Sequence, residues 1–240
     1  MHDIMMGRAH IIIGTGVSWS VLVLQGYDVT LPTAAAAVIG SLLPDIDEPN
    51  SLLLSRTMPR KLLRWVQILT LIGAVIVFMA GVFSYPWDWI LAGIMAVVAW
   101  IPSRSLRKVI LFALGAGFAW YGGAYSPWNY IAGSLLVICT IVPHRGLTHT
   151  LYGAGAWTGL LYGTTAAYGD SIWLAGGIAY VVHLLADSLT NNGIKPLPPL
   201  NLRLRFRLMS TGTKKGARVE NICIALTLLL VTVAYIFRSV

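Results

Sequence analysis

The sequence contains little charge. Asp, Glu, Lys and Arg make up only 11% of its 240 residues, whereas a soluble domain typically has about 25%. Hydrophobic residues make up 57%, and the mean hydropathy is +0.73. These values exclude a soluble domain and place the chain in a bilayer. Because a helix needs roughly 20 residues to cross about 30 Å of hydrocarbon, the length allows at most about nine short crossings.

Cysteine is also scarce. The two cysteines, Cys139 and Cys223, lie inside apolar runs, where a thiol usually behaves as a small hydrophobic side chain. They therefore carry no information about the redox compartment, and we assign them no role.

Apolar runs between the charged residues predict an all-α protein, a polytopic transmembrane helix bundle with about seven to nine membrane segments. Some of these runs are short enough to be tilted or re-entrant, because the run 31–44 would span only about 20 Å as a helix. We predict a single integral membrane domain over residues 1–240. The predicted segments are 9–26, 31–44, 62–83, 88–102, 108–121, 129–142, 149–167, 171–189 and 219–237.

The positions of Lys and Arg predict how the chain is oriented. If all nine segments cross and the N-terminus is inside, every Lys and Arg except Arg238 lies on the cytoplasmic side. The outer connections, around Asp28, Asp88, 122–128 and Asp170, contain neither residue. Cytoplasmic loops retain positive charge, so this alternation predicts a multi-pass protein with its N-terminus inside.

The largest group of basic residues falls in a predicted cytoplasmic loop, residues 190–218. Within it, the proline-rich stretch 195–200 cannot form a regular helix. We expect this stretch to fold over a neighbouring site or to lie along the membrane interface.

Histidine and aspartate stand out at the ends of the apolar segments. Imidazole and carboxylate are typical ligands of zinc, manganese and iron, and burying them at membrane depth costs several kcal/mol unless something neutralises them. In the predicted topology these residues all lie at the cytoplasmic ends of their segments, so they can converge. The pattern predicts a metal site at that face, with the candidate ligands His10, Asp45, Asp47, His144, His149, His183 and Asp187.

The spacing within these motifs adds detail. His183 and Asp187 are four residues apart and so share one face of a helix, where both can hold one ion or the acid can orient the imidazole. Asp45, Asp47 and Glu48 repel one another, and a cation would relieve that repulsion.

The stretch 144–149 has the sequence HRGLTH. Gly146 permits the sharp turn that a five-residue histidine spacing requires. Arg145 offers a forked donor that matches phosphate or carboxylate, and Thr148 is expected to cap the seventh segment.

Each of these features also occurs in proteins without a metal. His10 could be an interfacial anchor, the acidic stretch an ordinary turn, and 144–149 a capped turn with an arginine for topology. His183 and Asp187 could form a structural hydrogen bond between helices. The combination at one predicted face favours the metal site over these separate explanations.

Three segments resemble the motifs of the YdjM-like family of bacterial inner-membrane proteins: 40–47 (GSLLPDID), 144–149 (HRGLTH) and 183–194 (HLLADSLTNNGI). His10 lies at the position of the family's N-terminal histidine, whereas 62–127 contains no such motif. The resemblance implies a bacterial inner-membrane location and metal-dependent hydrolase activity. It also implies a distant kinship with the zinc-dependent phospholipase C and P1 nuclease group.

The resemblance leads to a hypothesis of mechanism. One or two divalent ions, zinc or alternatively manganese or iron, bind the candidate ligands, because seven ligands are too many for one tetrahedral zinc. Two ions could activate a water and clamp a phosphoryl oxygen. Arg145 would stabilise the transferred phosphate, and Glu48 would act as general base. Supporting hydrogen bonds would come from Thr148, Thr190 and Asn191.

The expected substrate is a phosphoester or lipid phosphate, because a basic loop beside a membrane-surface site favours an amphiphile with an anionic head. Membrane lipids are the expected partners, and nucleic acid is not, since topology and anionic lipid already explain the net charge of +8. Two alternatives stay open. Intramembrane histidines and carboxylates also mark the pathways of metal or proton transporters, and the metal could be purely structural in a non-catalytic membrane protein.

Overall fold

A computed structural model of the protein describes residues 3–47, 59–81, 83–126, 128–141, 146–210 and 213–238. These residues form α-helices joined by turns and short 3-10 helices, with no β-strand among them beyond two isolated bridges. The predicted all-α class is confirmed. The α-helices are α1 (Asp3–Leu24), α2 (Leu31–Leu42), α3 (Arg60–Ala80), α4 (Trp87–Trp100), α5 (Ser103–Tyr121), α6 (Trp128–Ile141), α7 (Leu151–Thr165), α8 (Ser171–Ser188) and α9 (Lys214–Arg238).

Two of the 3-10 helices contain predicted site residues. The first, Leu43–Asp47, continues from the end of α2, and the second, Leu147–His149, precedes α7. Thr150 is the N-cap of α7, and its side chain accepts a hydrogen bond from the Gly153 amide. The expectation that Thr148 caps this helix is therefore wrong, because the 3-10 helix moves the start of α7 beyond it.

Helix α8 lies at the centre of the packing, against α1, α2 and α7. The first half of its buried face is made of small residues, including Ala175, Gly176 and Ala179. The backbones of α2 and α8 approach so closely that a Cβ atom on Gly40 would overlap the carbonyl oxygen of Gly176. Small residues permit this backbone contact, which drives helix association in membranes.

Helices α1 and α9 run side by side in the same direction. Gly16 of α1 meets Thr227 of α9, and beyond the end of α1 Asp28 pairs with Arg238 at 2.5 Å. Helix α1 runs opposite to α8, because Ser18 donates a hydrogen bond to the Ala175 carbonyl while His10 lies beside Asp187. The starts of α1 and α9 and the end of α8 therefore share one end of the bundle.

Two helical hairpins, α3 with α4 and α5 with α6, pack mainly within themselves and contact the central helices sparingly. Their outer faces expose large apolar side chains such as Trp65, Met79, Trp100 and Trp120. In water these surfaces would be unfavourable, whereas in a bilayer they contact lipid.

Within the described residues, four helical stretches are long and apolar enough to cross a membrane: Gly7–Leu24, Lys61–Ala80, Ser171–Ser188 and Lys214–Arg238. Helices α4 and α6 have 14 residues each, which corresponds to only about 21 Å. The larger number of seven to nine crossings stays a prediction.

Several predicted segment ends need correction. Helix α1 begins at Asp3 rather than at 9, and α9 begins at Lys214 rather than at 219. The predicted segments start directly after Arg8 and Arg218 and are therefore too short. Long basic side chains let a helix continue beyond the apolar run into the headgroup region. The predicted loop 190–218 is correspondingly shorter, and we call its described part, residues 189–210, the strap.

The strap lies along the end of α8 and the start of α7. The Phe206 amide donates to the Ser188 carbonyl at 2.8 Å, and the Leu151 amide donates to the Pro196 carbonyl at 2.9 Å. Ile194 is buried with Tyr180 and Leu184. As predicted, 195–200 is not helical, and these bonds fix it against the bundle.

The contact between α2 and α8 gives a test of the fold. Gly40→Ala should destabilise the protein by about 1–3 kcal/mol, because the new methyl group forces two backbones apart. Thermal unfolding of purified protein measures the effect. Gly93→Ala in α4 is the matched control, because a Cβ atom there meets nothing within 4 Å; it should be neutral or stabilising. Equal stability of both variants would contradict the described packing.

Candidate metal centre

Five of the predicted ligands come together at the end of the bundle where α1 and α9 begin. His10 lies early in α1, and His183 and Asp187 lie one turn apart near the end of α8. Asp45 comes from the 3-10 helix after α2, and His149 ends the 3-10 helix before α7. Residues far apart in sequence meet because four chain segments begin or end at the same end of the bundle.

The Nε2 atoms of the three histidines face the two carboxylates. His149 Nε2 lies 3.2 Å from Asp187 Oδ2 and 3.4 Å from Asp45 Oδ1. His10 Nε2 lies 3.4 Å from Asp187 Oδ1. His183 Nε2 lies 3.8 Å from Asp45 Oδ1 and 3.9 Å from Asp187 Oδ2. The His10 and His183 rings stack with their centroids 3.9 Å apart.

The centre is buried except on one side. His10, His149, His183 and Asp187 are each at most 4% exposed, whereas the Asp45 side chain is 26% exposed. Asp45 therefore marks the side from which the centre can be reached. Burying carboxylates among apolar helices is costly unless positive charge or hydrogen bonds compensate it.

The geometry and the donor set fit a divalent metal. Ligands arranged tetrahedrally at about 2.0–2.1 Å from zinc lie about 3.3 Å from one another, close to the observed separations. Two overlapping groups place their ligand atoms within 4.8 Å of each other: His10, Asp45 and His183, and His149, His183 and Asp187. Within the described residues, His183 Nε2 has no hydrogen-bond partner, as expected for an atom that could bind an ion.

In two of the three histidines the opposite ring nitrogen, Nδ1, contacts a polar group of the protein. His183 Nδ1 is 2.7 Å from the Ser41 carbonyl oxygen, to which it donates. His149 Nδ1 is 3.2 Å from the Thr148 hydroxyl. Tyr180 donates to the Thr148 carbonyl at 2.6 Å and so fixes this turn. Such contacts set which nitrogen of each imidazole faces a metal.

The remaining predicted residues fall in different places. The Thr190 hydroxyl donates to the Asp187 carbonyl at 2.7 Å, next to the centre. Asn191 is exposed and its side-chain amide donates to Ser210 within the strap. Glu48, His144 and Arg145 lie outside the described residues, as does the side chain of Asp47, whose backbone ends the 3-10 helix.

The pKa values of Asp45 and His149 depend strongly on the neighbouring groups of the centre. Burial would raise the pKa of Asp45, but the hydrogen bond from His149 and the nearby imidazoles outweigh it and lower this pKa to about 2. Burial would lower the pKa of His149, but hydrogen bonds to Asp187 and Asp45 raise it to about 9. The two carboxylates therefore favour a positive charge beside them, which a proton on His149 or a bound metal ion would supply.

Sequence reasoning missed Glu220 of α9, which is 7% exposed and lines a pocket together with His10. A signal was present, because Glu220 is the only acidic residue in the predicted segment 219–237. An acid inside an apolar segment marks a functional candidate by default. Ser41 and Tyr180 were also missed, and no spacing rule singles them out.

Comparison with known proteins identifies the chain at the level of a family. A family model described as YdjM inner membrane protein matches residues 5–240. No curated protein and no solved structure matches the chain. The match supports a membrane protein of this family; the kinship with the phospholipase C and P1 nuclease group and the hydrolase activity stay predictions.

The pKa of His149 gives a test of the centre in metal-free protein. Its folded-state pKa of about 9 lies above the ordinary 6.5, so its proton stabilises the fold fully below pH 6.5 and this contribution is lost as the pH rises to 9. We expect the thermal stability of chelator-treated protein to decline between pH 6.5 and 9. His149→Gln should flatten this decline; an identical slope in the variant would contradict the described contacts.

Proposed function

The chain belongs to the YdjM family of inner membrane proteins, and on this premise we propose that it is a metal-dependent hydrolase that cleaves a phosphoester or lipid phosphate. The observation that carries the proposal is the convergence of three imidazole Nε2 atoms and two carboxylates, 3.2–3.9 Å apart, at one end of an apolar bundle. A set of nitrogen and oxygen donors with this spacing is typical of a hydrolytic metal site.

We propose that this end of the bundle faces the cytoplasm, with the N-terminus inside and several helices crossing the membrane. The start of α9 at this end has Lys214, Lys215 and Arg218, and the strap beside it adds Arg203, Arg205 and Arg207. The opposite end has the acidic residues Asp28 and Asp170 with Arg238. The positive-inside rule favours this orientation.

The proposed cofactor is one or two divalent ions, with zinc first and manganese or iron as alternatives, because all the donors are imidazole and carboxylate. The ligands in the proposal are His10, Asp45, His149, His183 and Asp187, and His144 and Asp47 complete the predicted set. When bound, a divalent ion supplies an activated water and a positive clamp for phosphoryl oxygens.

Side chains of the protein would bind the substrate, accept a proton and orient the ligands. In the proposal, Arg145 binds the phosphate with its forked guanidinium, and Glu48 accepts the proton of the attacking water. Thr148 orients His149, and Thr190 fixes the end of α8 below Asp187, so the ligands keep their geometry as charge develops on the substrate.

The side chains of the strap favour an amphiphilic, anionic substrate. Backbone hydrogen bonds attach the strap to the end of α8, and it exposes Leu202, Phe206 and Leu208 between its arginines. Alternating apolar and basic side chains suit the headgroup region of a bilayer that contains anionic lipid. A substrate drawn from that layer would reach the centre from the exposed side of Asp45.

Two features favour hydrolysis over the alternatives. A transporter typically binds its ion near the bilayer midplane on broken helices, whereas this centre lies at helix ends. A structural metal is closed off by four protein ligands, whereas the partial exposure of Asp45 leaves one side accessible.

The proposal is tested by hydrolysis assays on detergent-purified protein after chelation and reloading with Zn²⁺ or Mn²⁺. Two substrates are offered, the soluble diester bis(p-nitrophenyl) phosphate and phosphatidic acid in mixed micelles. We expect activity that depends on the metal and falls at least about 100-fold in Asp187→Asn. Asp170→Asn, at the exposed far end of α8, should retain it. Metal-loaded protein that hydrolyses neither substrate would count against a phosphoesterase, and metal uptake into proteoliposomes would then favour a transporter.

A further inference from the structure

His10 differs from the other two histidines of the centre in its outer nitrogen. His183 Nδ1 is held by the Ser41 carbonyl and His149 Nδ1 by the Thr148 hydroxyl. His10 Nδ1 is buried and has no hydrogen-bond partner within the described part of the chain. A buried ring N–H without an acceptor is costly, and an imidazole that binds a metal almost always donates its other N–H.

The His10 ring borders a pocket of about 200 Å³ between α1, α8, α9 and the strap. Its lining is apolar except for His10, Glu220 and Cys223. Because Nε2 of His10 faces Asp187, Nδ1 lies on the other edge of the ring. The pocket is roomy enough for a water, which needs two or more polar partners to be held there.

Glu220 reaches this pocket from α9. Its position follows from the parallel packing of α1 and α9, because the register in which Gly16 meets Thr227 places Glu220 level with Ala9 and His10. Glu220 and His10 therefore line the same pocket from neighbouring helices.

Packing alone does not explain an acid at this position. The other buried residues on this face of α9 are Gly216, Thr227 and Ala234, all small and uncharged. Glu220 is 7% exposed, and no hydrogen bond or ion pair joins it to another residue in the described ranges. A carboxylate buried among apolar side chains needs a partner, and the free N–H of His10 needs an acceptor.

We propose that Glu220 is the positioning residue for His10, and that it accepts the Nδ1–H hydrogen bond through a water held in the pocket. This bond fixes the tautomer of His10 and turns its Nε2 toward Asp187 and the centre. The statement that Glu220 supports a metal ligand rests on the proposed function. The hydrogen bond itself does not depend on a metal.

The first arm of the test measures Zn²⁺ affinity of the full-length protein by competition with a chromophoric chelator. Glu220→Leu, which keeps an apolar fit, should bind Zn²⁺ about 10–100-fold more weakly than wild type. Glu220→Asp should recover most of the affinity, because a water bridge tolerates a shorter acid. Cys223→Ala is the matched control, since it alters the same pocket one turn away and should bind as wild type does.

The second arm needs no metal. In chelator-treated protein labelled with ¹⁵N-histidine, the His10 Nδ1–H signal is assigned by its loss in His10→Gln. We expect this signal to shift and to exchange faster with solvent in Glu220→Leu but not in Cys223→Ala. An unchanged signal in Glu220→Leu would overturn the inference. If wild type binds Zn²⁺, an equal Zn²⁺ affinity of Glu220→Leu would overturn it as well. A wild type that binds no Zn²⁺ would overturn the proposed function, while the ring signals would still decide the role of Glu220.

Discussion

Asp187 is a carboxylate with 2% exposure inside an apolar helix bundle, and the surrounding structure compensates for its charge. An isolated carboxylate in such a place would cost several kcal/mol. His10 from α1 and His149 from the turn before α7 approach it within 3.4 Å, and His183 lies one turn away on the same helix. This requirement ties together segments from both ends of the chain. It also explains why α8, which contains Asp187, is surrounded by α1, α2 and α7.

The helices divide into two groups that differ in packing and in surface. Helices α1, α2, α7, α8 and α9 pack closely through small residues such as Gly40 and Gly176 and bring the polar side chains to one end. The hairpins α3 with α4 and α5 with α6 lie outside this group, and their large apolar side chains are exposed. They account for most of the stretch 62–127, which contains none of the recognised motifs, and their surfaces suit contact with lipid.

The sequence predicted much of this arrangement, and the failures have physical causes. Low charge and long apolar runs predict helices in a bilayer, and the four-residue spacing of His183 and Asp187 predicts their shared face. The bias of Lys and Arg also predicted that residues from distant segments meet at one end. By contrast, hydropathy does not show the cap at Thr150, which depends on a local turn, or that α1 and α9 extend beyond the basic residues Arg8 and Arg218 to begin at Asp3 and Lys214. An acid inside an apolar segment was a signal for Glu220, but its place beside His10 follows from the register of α9 against α1, which only tertiary packing sets.

The buried histidines and aspartates are expected to form one metal centre, and the metal content of freshly purified protein decides whether they do. Elemental analysis would compare wild type with His149→Ala, Asp187→Ala and the exposed control Asp170→Ala. We expect near-stoichiometric zinc, manganese or iron in wild type and in the control, and its loss in both site variants while the helical fold is retained. Wild-type protein without metal, and without uptake after addition of divalent ions, would rule out the metal centre and leave these residues as a hydrogen-bonded network between helices.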